Sequence, residues 1–441
     1  MSAIAMEPRH THNLRMNSHA QHDAGKCRIL VSEGASTSAR EAITALGLRG
    51  YEIEVCDPGQ WCPSRFSRFV KRFHVCPGIG EAPLAYLDFI VGKLSAGRVD
   101  VLLPIHEQGL LFARYQAMLP PGVAVALPSF DSYRRALGKT GFDKLLQQLG
   151  LPRPQTLYVS SARQLRESAR LPCVLKLPIG TASRGTWLVH DAAELEAAVS
   201  ALDAAGAFND EVLVQTFIAG DVEHAQAVFC HGRLVGIHMY RQLARGAGGG
   251  PARKQSLHRH NVEEHVGEIG RTLDWHGALS VDYILGDADG LPHYIDCNPR
   301  LVEPMSAWFA GADLADLLVR VSLGHEPRDI IRGKSGVRTH LSLQALLGCG
   351  QRTGSRVALA AECWRLLRRA GAYAGSHEEL TPWRYDKLSA IPLLMTALLL
   401  LIRPSLAHEL PRKGWGKQLL TAKTIRLIEN GMVVIPGDRL G

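Results

Sequence analysis

The stretch GALSVDYILGDADGLPHYIDCNPR, Gly277 to Arg300, restricts the fold more than any other part of the chain. Two runs rich in alternating β-formers flank the tight polar turn DADG, a pattern that predicts an antiparallel hairpin. Pairing of that kind brings Asp282 on the first strand close to Asp296 on the second. Side chains alternate along a strand, so Asp296, Asn298 and Arg300 share one face of its end. Two carboxylates and an amide oxygen make a hard, all-oxygen set of the sort Mg²⁺ accepts when phosphate oxygens complete its octahedron. Pro299 limits the backbone between Asn298 and Arg300.

Further lysines and glycines precede this hairpin. ALGKTGFDKLLQQLGLPRP predicts an amphipathic helix opened near Lys139 and stopped at Gly150 and Pro152. Lys176 then lies in the apolar strand VLKLP, directly ahead of the loop GTASRG from Gly180 to Gly185. A desolvated lysine calls for an anion, and the amides of a Gly/Ser loop can cradle phosphate oxygens. The order is not that of a Walker loop, which places the lysine after the glycines. A snorkelling lysine beside a structural turn is the alternative. EVLVQTFIAGDVEHAQAVFCHGRLVGIHMY reads as a strand, a turn and a hairpin meander.

The chain from Cys27 begins as βαβ: a short apolar strand, a Ser/Thr turn, a helix and a second strand. Ser36 and Thr37 are placed to cap that helix, whose N-terminus could receive an anion. VDVLLPIHEQG, Val99 to Gly109, is another buried strand, and Glu107 follows it. Ligands of open parallel sheets sit at the carboxyl ends of strands, which makes Glu107 a candidate substrate contact. An ordinary helix N-terminal acid is the competing reading.

A length of 441 residues argues for two or three domains. The expected division is a disordered tail over 1–26, an α/β domain over 27–135, a second domain over 136–345, and a basic helical extension over 346–441. The tail carries His10, His12, His19 and His22 at irregular spacing, which reads as solvated rather than metal-binding. Nine cysteines without a CxxC pair argue against a zinc ribbon or a disulfide framework and suit a reducing, cytosolic setting. The net charge of +8 gathers late: from Gln351 onward there are 14 Lys and Arg against 7 Asp and Glu. Such a segment seeks an acidic partner.

Order and spacing together resemble the ATP-grasp superfamily, in particular its carboxylate–amine ligases with their preceding α/β domain. The resemblance runs from about Cys27 to about Leu323. It rests on Lys139 eleven residues before GLP, on the strand lysine and glycine loop, on VQTFIAG, and on the paired acids ending in NPR. It implies an α/β (α+β) architecture, an ATP-grasp fold preceded by a Rossmann-like domain. Lys139, Lys176 and the loop with Gly180, Ser183 and Gly185 would meet ATP phosphates. Gln215, Thr216, Phe217 and Ile218 would present backbone to adenine, and Glu223 would bind the ribose. Asp282, Asp296 and Asn298 would hold one or two Mg²⁺. Arg300 would face the reacting carboxylate, while Arg241 and Lys254, in a flexible loop around GAGGGP, would stabilise phosphoryl charge. Asp296 stands where Glu is commoner, and LVEP replaces an aromatic–Gly–Ser-like segment after NPR, leaving the acceptor pocket undefined.

The implied activity is ATP-dependent formation of an acyl phosphate and its capture by an amine. An ATP-grasp phosphotransferase or carboxylase, or an inactive nucleotide-binding protein, are the alternatives. Expected partners are small-molecule or lipid-linked carboxylates and amines and a second copy of the chain, not nucleic acid. AIPLLMTALLLLI, Ala390 to Ile402, has 13 residues, whereas about 20 are needed to span a bilayer as a helix. It reads as a core helix or an interfacial one. With Trp364, Trp415 and the neighbouring cations, it suits peripheral contact with anionic lipid on the inner face of a membrane.

Overall fold

The computed structural model describes residues 27–180, 185–413 and 419–431. The tail over 1–26, Ser183 and Trp415 lie outside the described residues.

The βαβ opening produces a parallel sheet in the order β3 (Val70–Val75), β2 (Glu52–Asp57), β1 (Arg28–Val31), β4 (Val101–Leu103). Ile29, Leu30 and Val31 are fully buried, as a strand covered on both faces requires. Ser36 caps the helix Thr37–Arg49 by accepting from the Ala39 amide, and Gly50 ends it in the left-handed conformation.

A small antiparallel sheet follows, in the order β5 (Thr156–Val159), β8 (Val212–Thr216), β6 (Cys173–Lys176), β7 (Thr186–Val189). Its inner residues pack on the helix Ala192–Ala204 through Leu175, Val214, Leu195 and Leu202. The large sheet runs β13 (Pro292–Asn298), β12 (Gly277–Gly286), β9 (Gly220–Cys230), β10 (Arg233–Arg245), β11 (Pro251–Leu257), β15 (Arg338–His340), β16 (His377–Glu378). The short β14 (Ile331–Arg332) pairs with β10. The hairpin read from the sequence is β12–β13, and its register sets Asp282 directly opposite Asp296 and Ser280 opposite Asn298.

Two details differ from the expected layout. The boundary drawn at 135/136 falls inside the helix Phe130–Leu137, which runs to Gly138, and the one at 345/346 falls inside the helix Ser342–Thr353. The extension is also no separate appendage: β16 joins the large sheet beside β15, and Asp386 accepts from Arg40 and Ser67 of the first domain. Both boundaries were placed on composition, whereas the packing follows whole helices.

Candidate functional site

The segment after β4, the end of β13 and Gly180, which follows β6, meet at one cleft. Glu107, Tyr133, Gly180, Asp296, Asn298 and Arg300 line it. The helix Lys139–Leu149 opens at this cleft, with the Lys139 amide donating to the Pro178 carbonyl. Its ammonium lies 3.1 Å from both carboxylate oxygens of Asp296 and 3.1 Å from the Gly180 carbonyl. Lys176, buried on β6, donates to the Ile295 carbonyl at 2.7 Å. Burial pushes its pKa down to about 8, reinforced by Lys139 and opposed by Asp296. Both lysines therefore converge on the strand end that carries the second acid.

The acid pair is held by neighbours. His224 on β9 meets Asp282 at 2.7 Å and stacks on Tyr240 with ring centroids 4.7 Å apart. Burial alone would raise the Asp282 pKa, but His224, Arg300 and Lys139 together hold it below the usual carboxylate range. Arg300 donates to the Asn298 amide oxygen at 3.2 Å, and Asn298 reaches Asp282 at 3.5 Å. Asp282 and Asp296 thus offer carboxylate oxygens on neighbouring strands, and the Asn298 amide oxygen lies beside them, turned to Arg300. Cationic Lys139 and Arg300 already balance them. That donor set fits Mg²⁺.

At the end of β8 Thr216 is exposed while Gln215 turns inward and donates to the Thr156 hydroxyl at 3.1 Å, and Phe217 and Ile218 just after the strand are half-buried. Gly185 has φ +77, and a Cβ there would stand 2.9 Å from a Leu177 methyl, so the loop's far end requires glycine.

Several candidates sit elsewhere than expected. Glu223 is fully buried, bound by the Arg259 guanidinium and by the Tyr283 hydroxyl at 2.9 Å, so it is not presented to a ribose. Ser36 bonds Glu33, whose carboxylate also accepts from the amides of Ala35 and Ser36 at 2.8 and 3.0 Å. The Glu33 carboxyl already occupies that helix N-terminus, with burial raising its pKa to about 7. Residues 238–256 do not form a flexible loop: β10 and β11 pair from Met239–Leu257 onward, with only a short turn at Ala247–Gly249. Alternating side chains therefore send Lys254 inward, where it is fully buried between Glu303 at 2.5 Å and Glu379 at 2.6 Å. Burial lowers its pKa, but the two carboxylates more than offset this and hold it charged. Arg241 stays near the surface, 3.3 Å from Asp221. Glu107 is buried and accepts from the Leu420 amide at 2.8 Å while lining the cleft.

Sequence reasoning missed His224, Glu303 and Glu379. His224 lay one strand away from the hairpin, and only the register of β9 against β12 brings it to Asp282. Glu303 was visible in LVEP. Its φ of +52 turns the chain toward Lys254.

No family model matches the chain. It is 24% identical over 289 residues to a formate-dependent phosphoribosylglycinamide formyltransferase of Bacteroides thetaiotaomicron, covering 60% of this chain and 69% of that enzyme. Among solved structures it resembles N5-carboxyaminoimidazole synthetase from Staphylococcus aureus complexed with ADP. That match has a TM-score of 0.57 and 13% identity, and covers 73% of this chain and 84% of the other. An L-amino acid ligase from Bacillus licheniformis matches with a TM-score of 0.53 and 17% identity over 68% and 71% of the two chains. The chain has the ATP-grasp fold.

Proposed function

We propose that this ATP-grasp protein is an ATP-dependent carboxylate–amine ligase, which activates a carboxylate as its acyl phosphate and joins it to an amine, releasing ADP and phosphate. The observation that carries the reading is the convergence of Lys139, Lys176 and Arg300 on the Asp282–Asp296 pair. Asp282, Asp296 and Asn298 would hold one or two Mg²⁺, which when bound neutralise phosphate charge. Lys139 and Lys176 supply fixed cations for the phosphates, the Gly180–Gly185 segment covers them, and the linker Gln215–Ile218 offers backbone to the base. Arg300, one residue past Pro299, holds the reacting carboxylate in line with the transferred phosphoryl group, and Arg241 adds positive charge at the rim. Lys254 serves instead to hold Glu303 and Glu379 in place. Excluding water matters, because an exposed acyl phosphate hydrolyses.

The ligase reading draws support from the relatives, whose printed activities include a formyltransferase, a synthetase and an amino acid ligase. For partners we propose small-molecule or lipid-linked carboxylates and amines, and a second copy of the chain in a homodimer. An ADP-release screen over paired acids, amino acids and amines, with mass spectrometry of products, tests the proposal. Amide formation that disappears in Asp296→Asn supports it. ADP formed only with bicarbonate would point to a carboxylase instead.

A further inference from the structure

The helices Arg356–Arg368 and Ile391–Ile402 each carry a second apolar stripe that the fold does not cover. In the later helix Ile391, Leu394, Met395, Leu398, Leu399 and Ile402 are all exposed, at the spacing of one helical face. Leu394 and Leu398 are 59% and 60% exposed. In the earlier helix Val357, Trp364 and Leu367 repeat the pattern, and Trp364 is 57% exposed. Leu359 and Leu366 of the earlier helix and Leu393 and Leu400 of the later one fill a single cluster, so both exposed stripes turn away from the same core. Arg356 donates to the Ile402 carbonyl at 2.7 Å, which ties the start of one helix to the end of the other.

A soluble helix normally buries its apolar stripe once. Here both helices are apolar on the inside and again on the outside, and exposed apolar stripes of that kind mark a docking surface. Its surroundings are cationic. Arg368, Arg369, Arg384 and Lys387, at the end of the earlier helix and just before the later one, are exposed, Arg403 pairs with Glu409 at 3.3 Å, Arg368 lies 4.6 Å over the Trp364 ring, and neither helix has an exposed acid. A second copy of the chain would set two such basic rims against each other in a two-fold interface. An anionic lipid surface satisfies both the apolar stripe and the rim. With 12 residues the later helix is about 18 Å long, short of the roughly 30 Å hydrocarbon core, and no helix among the described residues is long and apolar enough to cross a membrane.

We propose that this helix pair lies in the interface of an anionic bilayer, its exposed stripes entering the headgroup boundary while the arginines and lysine meet lipid phosphates. This surface is independent of the ligase chemistry and can be tested without a substrate. The full chain is floated with vesicles of phosphatidylcholine alone or mixed with phosphatidylglycerol. The wild type is expected to rise only with the mixed vesicles. Leu394→Glu/Leu398→Glu, both at exposed positions, is expected to keep its circular dichroism and to lose partitioning by roughly a hundredfold. Arg368→Glu/Arg384→Glu is expected to weaken binding through charge alone, so a folding failure of the first variant does not shield the idea. Equal recovery of wild type and both variants would overturn it. So would a wild-type dimer in light scattering that the leucine variant dissolves and that binds no vesicles.

Discussion

Nucleotide affinity should depend on pH through one buried lysine. Burial lowers the Lys176 pKa from the ordinary 10.5 to about 8; its 2.7 Å hydrogen bond goes to the neutral Ile295 carbonyl, and Asp296, which opposes the shift, is shared with Lys139. A bound triphosphate restores a counter-charge and returns that pKa upward. Above pH 8 binding must therefore take up a proton, and affinity falls by up to tenfold for each further unit. Between pH 8, where the lysine is half protonated, and pH 9.5 the expected loss is roughly 15-fold, about 1.6 kcal/mol at 1.36 kcal/mol per factor of ten. The ligand-free fold should move the opposite way. Between about 8 and 10.5 the unfolded lysine is still protonated while the folded one is not, so this residue makes the fold more stable as pH rises. Calorimetric titration with Mg-ATP from pH 7 to 9.5, on wild type and Lys176→Met, separates the cases. The variant should bind more weakly at pH 7 but with a flat profile above pH 8. A flat wild-type profile, or the same decline in the variant, would refute the reasoning.

Two further outcomes follow from the geometry. Replacing His224 with Phe removes the 2.7 Å contact that orients Asp282 and should raise the Mg²⁺ concentration for half-maximal ADP release by about 10–100-fold; an unchanged Mg²⁺ dependence would take His224 out of the site. Lys254→Met leaves Glu303 and Glu379 buried without their cation, which predicts about 3–5 kcal/mol of destabilisation, read as a lowered thermal midpoint. A midpoint equal to wild type would mean that the two carboxyls are already protonated together.

The β12–β13 hairpin was legible because alternation and a polar turn are local signals, and its register alone places Asp282 against Asp296. The helix opened by Lys139 was legible for the same reason, with Gly150 and Pro152 as its stop. Lys254 was not, since GAGGGP suggests a loose loop while the flanking residues pair as β10 and β11 around a much shorter turn. Glu223 looked available to a ribose until Arg259, 36 residues later, and Tyr283, 60 residues later, closed on it. Partners at such separations leave no local trace. The apolar run Ala390–Ile402 could be read as core or interface; in the structure Leu393 and Leu400 join a buried cluster while Leu394 and Leu398 face outward.

The central claim is that a carboxylate oxygen attacks the terminal phosphorus of ATP. Once the ADP screen has supplied an acid and an amine, the acid is prepared with ¹⁸O in its carboxylate and the released phosphate is analysed by mass spectrometry. The account predicts one ¹⁸O in each phosphate and an amide formed in step with ADP. Phosphate free of label, with amide still produced, would contradict it.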